Sequence, residues 1–93
     1  MPQSLPEQIA TKIQQEVKRL APNAVVRISY EGFKEDGADI YIYAPRKVMD
    51  MLSGRAQKLR DQLKGNKMLN IRVMADAFEN MSPEAKKKYG IPA

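Results

Sequence analysis

The feature that most constrains this chain is a long basic segment with one apolar face, residues 44 to 65. Pro45 is typical of a first helical turn, and Gly65 of the position just after a last one. Apolar residues recur at helical spacing and form a single stripe: Val48, Leu52, Ala56, Leu59 and Leu63. The other faces carry two acids, Asp50 and Asp61, against six cations: Arg46, Lys47, Arg55, Lys58, Arg60 and Lys64. The pattern predicts a helix that packs its stripe inward and presents a positive surface outward.

The segments around this helix predict a second long helix and three strands. Ser4 and Glu7 form a capping-box pattern that begins a first helix, and Ala21-Pro22-Asn23 ends it. Alternating apolar residues predict strands over 24–30, 38–44 and 68–74. A turn-rich loop, 31–37, makes a hairpin of the first two strands. A second capping pattern at Ser82 predicts a short helix at about 83–89, which is either frayed or docked by Met81 and Tyr89.

These elements define an α+β fold of one domain over residues 1–93. Its core is an α-β-β-α-β two-layer sandwich over residues 4–75, in which the two main helices cover one face of a three-stranded sheet. Residues 76–93 form an extension with the short helix. The connection from the second strand to the third is long enough for a right-handed crossover between parallel strands. The order of the strands in the sheet is left open by the sequence.

Several functional classes are disfavoured by what the chain lacks. It contains no cysteine and no histidine, so thiolate catalysis, the commonest general base and the commonest transition-metal ligands are missing. We therefore expect a protein that is not an enzyme and uses neither cofactor nor metal. The start of the chain does not follow the pattern of a secretion signal, and no apolar run approaches ~18 residues. These observations predict a cytoplasmic protein without a membrane partner.

After the first helix and the first strand, the chain continues with a strand, a helix and a strand, which include residues 39–45, 48–63 and 69–73. In this order of elements the chain resembles the K-homology (KH) domain in its type II arrangement. The resemblance implies nucleic-acid binding through a Gly-x-x-Gly loop that interrupts the helical segment. In this chain the corresponding residues, 51–54, keep only the second glycine, Gly54, and Met51 replaces the first. We expect either a degenerate loop or one helix bent near Ser53.

Residues 46–72 hold eight lysines and arginines against two acids, an excess larger than the chain's net charge of +5. A cluster of cations on one face is the electrostatic footprint of a phosphate-binding surface. We predict contact with nucleic acid, RNA favoured over DNA, through Arg46, Lys47, Ser53, Gly54, Arg55, Lys58, Lys67 and Arg72. The alternative is a solvated helix face whose charges serve solubility.

Two tyrosines, Tyr41 and Tyr43, alternate with Ile40 and Ile42 and so lie on the sheet face away from the helices. Aromatic rings on an open sheet are suited to stacking on nucleic-acid bases. They are equally suited to a protein partner or to a second copy of the chain. We predict an interaction surface at Tyr41 and Tyr43, with a homodimer or another protein as the alternative partner to nucleic acid.

Overall fold

The elements follow one another in the predicted α-β-β-α-β order, with a short helix after them. The computed structural model describes residues 4–33 and 36–91, so predictions on 1–3, on positions 34–35 of the hairpin loop and on 92–93 lie outside it. The elements are α1 (Leu5–Leu20), β1 (Val25–Ser29), β2 (Gly37–Ala44), α2 (Arg46–Lys64), β3 (Asn70–Ala77), a 3₁₀ turn (Phe78–Asn80) and α3 (Pro83–Lys88). None of the described helices has the length and apolarity needed to cross a membrane.

The sheet places β2 in the centre, with β1 antiparallel on one side and β3 parallel on the other. Arg27 lies opposite Tyr41 across β1 and β2, and Arg72 lies opposite Asp39 across β2 and β3. The parallel pairing confirms the crossover that the length of α2 predicts, because parallel neighbours need a long connection. The α+β fold class is confirmed.

The core lies between the helices and one face of the sheet. α1 begins at Ser4, whose hydroxyl accepts a hydrogen bond of 3.4 Å from the Glu7 backbone N–H. The largest fully buried side chains come from α1, β2 and α2: Ile9, Ile13, Val17, Ile40, Ile42 and Leu52. The predicted stripe of α2 joins this cluster through Leu52 and Ala56, with Val48, Leu59 and Leu63 packed against it. The strand and helix periodicities therefore define one aliphatic core.

The third strand is displaced from its predicted position. It runs over Asn70–Ala77, not over 68–74, so it crosses the boundary placed at residue 75. The reason is its partner: all eight residues of β2 pair with β3 in register, from Gly37 opposite Asn70 to Ala44 opposite Ala77. The end of this strand contains two alanines, which have no strand signal of their own, so its last residues are set by pairing with β2.

Candidate nucleic-acid interface

The helix α2 is continuous from Arg46 to Lys64 and passes through Ser53 and Gly54 without a loop. Its buried side faces β2, β3 and α1 through Met49, Leu52 and Ala56. The Gln57 side-chain amide donates a hydrogen bond of 3.0 Å to the Ser53 hydroxyl, one turn earlier on the helix surface. No helix interruption of the kind implied by the KH-like resemblance is present at residues 51–54.

Gly54 stands at an exposed position in the middle of α2, with the helical backbone of its neighbours. A Cβ atom built on it would meet no other atom within 4 Å, so no close packing requires a glycine there. Glycine in a helix interior costs roughly 1 kcal/mol relative to alanine. The fold therefore carries a destabilising residue at an exposed position of α2 where the backbone has no side chain.

A shallow groove of about 540 Å³ runs between the end of α1 and the middle of α2. We call it the Gly54 groove, and it is lined by Arg19, Leu20, Asp50, Met51, Gly54, Arg55 and Lys58. It brings together three cations, of which Arg19 comes from α1, and one acid. Lys47 and Lys58 form no ion pair with any residue within 4–33 or 36–91. The predicted residues Gly54, Arg55 and Lys58 thus lie in one groove.

Glu16 connects the two arginines of this groove. Its carboxylate accepts from the Arg19 guanidinium at 2.5 Å and lies 3.5 Å from Arg55 Nε. The arginine side chains are 63% and 53% exposed, and the Glu16 side chain is 21% exposed. Hydrogen bonding from Arg19 lowers the pKa of Glu16, so the carboxylate is ionised at neutral pH. The bridge holds both guanidinium groups at one edge of the groove and offsets part of their charge.

Arg46 and Lys47 are the first two residues of α2. Pro45 supplies no side-chain cap, and the Arg46 backbone N–H instead donates to the Glu79 carboxylate at 3.0 and 3.2 Å. That hydrogen bond lowers the pKa of Glu79. The Arg46 guanidinium also donates to the side-chain oxygen of Asn80. The cation of Arg46 is therefore engaged in fixing the helix start, whereas Lys47 is exposed on the outer side of the helix.

Arg72 lies apart from the other predicted residues, on the opposite face of the sheet from α2. Its neighbours Ile71 and Val73 point into the core, so Arg72 points away from it. It makes two hydrogen bonds, of 2.6 and 2.9 Å, with the buried carboxylate of Asp39. Lys67 is exposed in the turn that follows α2. The eight predicted residues therefore do not share one surface, and Arg72 cannot act together with the Gly54 groove.

The sheet face that carries Tyr41 and Tyr43 is partly covered by the chain's own C-terminal segment. The Tyr89 ring stacks on the Tyr43 ring, with centroids 5.4 Å apart and planes 11° apart. Tyr43 is only 8% exposed as a result, while Tyr41 is half-buried. The guanidinium carbon of Arg27 lies 4.4 Å from the centres of both the Tyr41 and the Tyr89 ring. The contact made by Tyr89 corresponds to the docked one of the two alternatives that the sequence leaves open. The interaction surface for a protein partner or homodimer stays a prediction.

Arg19 is the cation of the groove that the sequence did not assign to the site. Lys18 and Arg19 in the last turn of α1 are typical of charges that favour a helix C-terminus, which gave no reason to assign them a ligand. Only the packing of α1 beside α2 brings Arg19 next to Arg55. One feature of the sequence could have indicated the location of Arg19: α1 ends in two adjacent cations, and α2 is the predicted basic helix.

These observations define a small α+β domain whose three-stranded mixed sheet carries two helices on one face and a short C-terminal helix against the other. The Gly54 groove, lined by three cations and one acid, lies between those two helices. Comparisons of the chain with protein-family models, with curated proteins and with solved structures found no match in any of the three.

Proposed function

We propose that this chain is a non-catalytic, cytoplasmic domain that binds single-stranded nucleic acid along the Gly54 groove. The observation that carries the proposal is the meeting of three cations, from α1 and α2, around a helical glycine with open space where a side chain would stand. Guanidinium and ammonium groups pair with phosphates, and a bare backbone lets a strand approach closely. The KH-like resemblance predicts the same place, and it is the reason that RNA is favoured over DNA.

The contribution of each groove residue follows from its surroundings. Lys58 has no acidic partner among the described residues and is exposed, so its full charge is available to a phosphate. Arg19 and Arg55 share Glu16, which positions them but lowers their net attraction for an anion. Asp50 also lines the groove and disfavours a phosphate beside it. The expected path of a strand therefore runs over Lys58 and Gly54 toward the two arginines.

The test is a titration of a labelled, unstructured oligoribonucleotide at two salt concentrations. Three phosphate contacts predict a log–log salt slope of about −2 for a single strand, so a fourfold rise in salt lowers the affinity roughly 20-fold. Lys58→Glu should weaken binding strongly and reduce the slope by about 0.7. Lys12→Glu makes the same charge change on α1 outside the groove, and it should have a much smaller effect.

The proposal fails if no binding is seen at low salt. It fails equally if Lys58→Glu and Lys12→Glu weaken binding by the same factor, because binding would then follow the net charge of the chain and not the groove. A parallel titration with the DNA strand of the same sequence tests the preference for RNA, and equal affinities contradict it.

A further inference from the structure

The way α3 ends orients Tyr89 toward the sheet. Gly90 adopts a positive φ of 72°, which a glycine tolerates without strain. The Ile91 backbone N–H donates to the Lys86 carbonyl at 2.8 Å, and the Gly90 N–H to the Lys87 carbonyl at 3.3 Å. This is the hydrogen-bond pattern of a Schellman motif, which closes the helix and leaves Tyr89 at its C-cap. A defined turn therefore presents the Tyr89 ring to the sheet.

The surface that receives this ring is made by three side chains of neighbouring strands, Arg27, Tyr41 and Tyr43. We call it the ring seat. The Tyr89 ring lies nearly parallel to that of Tyr43, and its centre is 4.4 Å from the Arg27 guanidinium carbon. Stacking on an aromatic face together with a cation over the ring is how proteins hold flat, electron-rich rings. The ring seat thus has the geometry of a binding site for a planar ring, and a residue of the same chain occupies it.

Two features make Tyr89 a replaceable occupant. α3 has six residues, too few for a helix that is stable by itself, and most of its side chains are exposed. In the present arrangement Arg27 Nε is buried and, within the part of the chain that the structure describes, has no hydrogen-bond partner. A buried donor without a partner is unfavourable, so the closed arrangement carries a cost that an open one could relieve.

The edge of the ring seat adds polar groups that suit a nucleobase. A cleft of about 160 Å³ beside it is lined by Tyr41, Tyr43, Met74, Ala75 and Asp76. Asp76 lies opposite Tyr43 on β3 and lines this cleft, and its Oδ1 accepts a long hydrogen bond of 3.4 Å from Asn80 Nδ2. Carboxylates accept hydrogen bonds from exocyclic amino groups of bases. Adenine, cytosine and guanine carry such a group, and uracil does not.

We propose that the ring seat is a second binding site, for one base of a single-stranded nucleic acid, and that Tyr89 is an internal competitor that must leave when the base stacks. This inference rests on the proposed function, since it assumes a single-stranded ligand. It adds a site on the face of the sheet opposite the Gly54 groove, with bases rather than phosphates as its target. α3 then acts as a strap that keeps the site closed in the absence of ligand.

The test compares the wild-type chain with Tyr89→Ala in titrations with a short oligoadenylate at high salt, where the phosphate contacts of the Gly54 groove contribute little. Removal of the competing ring should tighten binding about fivefold or more, within the range of one base–aromatic stacking contact. The gain should be lost in the double variant Tyr43→Ala/Tyr89→Ala and should be smaller for oligouridylate. Tyr30→Ala is the matched control, since Tyr30 is an exposed tyrosine outside the ring seat, and it should bind like the wild type.

A second measurement on the unaltered chain covers the case in which Tyr89→Ala does not fold. Saturating oligoadenylate should speed the hydrogen exchange of the Gly90 and Ile91 backbone amides, because their Schellman hydrogen bonds depend on the docked strap. The inference is overturned if exchange at these amides is unchanged in the complex, or if the gain of Tyr89→Ala persists in the double variant. If Lys58→Glu abolishes low-salt binding while Tyr89→Ala gives no gain, only the ring seat is wrong. If the gain appears while Lys58→Glu has no effect at low salt, the Gly54 groove is wrong instead.

Discussion

Replacement of Gly54 by alanine measures two effects of this residue separately: its effect on the free energy of unfolding and its effect on the affinity for a ligand. The backbone at Gly54 is helical, and the added methyl group would meet no atom within 4 Å. The substitution therefore adds neither backbone strain nor a clash, and it removes the conformational freedom that glycine has in the unfolded chain. We expect Gly54→Ala to raise the free energy of unfolding by about 1 kcal/mol.

In a domain of this size such a gain raises the melting temperature by about 4–8 °C. Thermal and denaturant unfolding, followed by circular dichroism, measure it directly. Gly65→Ala is the control of opposite sign, because Gly65 has a φ of 59° and a ψ of −130°, a conformation that side chains rarely adopt. We expect that variant to lose about 1–3 kcal/mol.

The same Gly54→Ala protein is then titrated with the oligoribonucleotide used for the wild type. Its charge is unchanged, so a loss of affinity would come from the methyl group that now covers the backbone of the groove. We expect Gly54→Ala to be more stable than the wild type and to bind the oligoribonucleotide more weakly. A variant that is no more stable than the wild type would refute the idea that Gly54 is a cost to the helix, because the residue would then have a structural role that its surroundings do not reveal.

Three further outcomes are expected from other parts of the fold. The folded-state pKa of Glu79 is below its ordinary value of 4.5, so its hydrogen bonds stabilise the protein above that pH and are lost as the pH falls through the lowered pKa. Glu79→Gln should therefore flatten the acid limb of a plot of melting temperature against pH. An unchanged limb would contradict the capping of α2. Leu52→Ala, at a fully buried position, should lower the free energy of unfolding in urea by about 3–5 kcal/mol. Met51→Ala, at a 46% exposed neighbour, should lower it by less than about 1 kcal/mol. Equal losses would contradict the assigned helix face. Arg72→Ala leaves the buried carboxylate of Asp39 without its partner and should lower the melting temperature more than truncation of an unpaired surface lysine does.

The helix α2 illustrates how far local sequence determines this fold. Its start after Pro45 and its end at Gly65 follow from the terminal residues, and its buried residues Leu52 and Ala56 follow from helical spacing. Helical periodicity and terminal residues are properties of neighbouring positions, so they can be read without the tertiary structure. The pattern does not indicate whether the helix continues through Ser53 and Gly54, because both residues are tolerated in either case.

The candidate site depended more on the tertiary structure. The sequence groups Gly54, Arg55 and Lys58 because they are close together on one helix. It misses Arg19 and adds Arg72 to the group, although the former lies in the Gly54 groove and the latter on the far side of the sheet. The sequence prediction counted charges over α2 and β3 as one basic segment. Such a count does not show that Arg72 lies on the sheet face opposite α2.

By itself the sequence determined the kind and order of the elements, the apolar face of each one and the α+β class, because these follow from periodicity and capping over a few residues. The tertiary structure decided which strand is central, that Glu79 caps a helix beginning 33 residues earlier, and that Tyr89 covers Tyr43. Such contacts join distant residues, and their free energy depends on how whole elements pack. No local pattern records that packing.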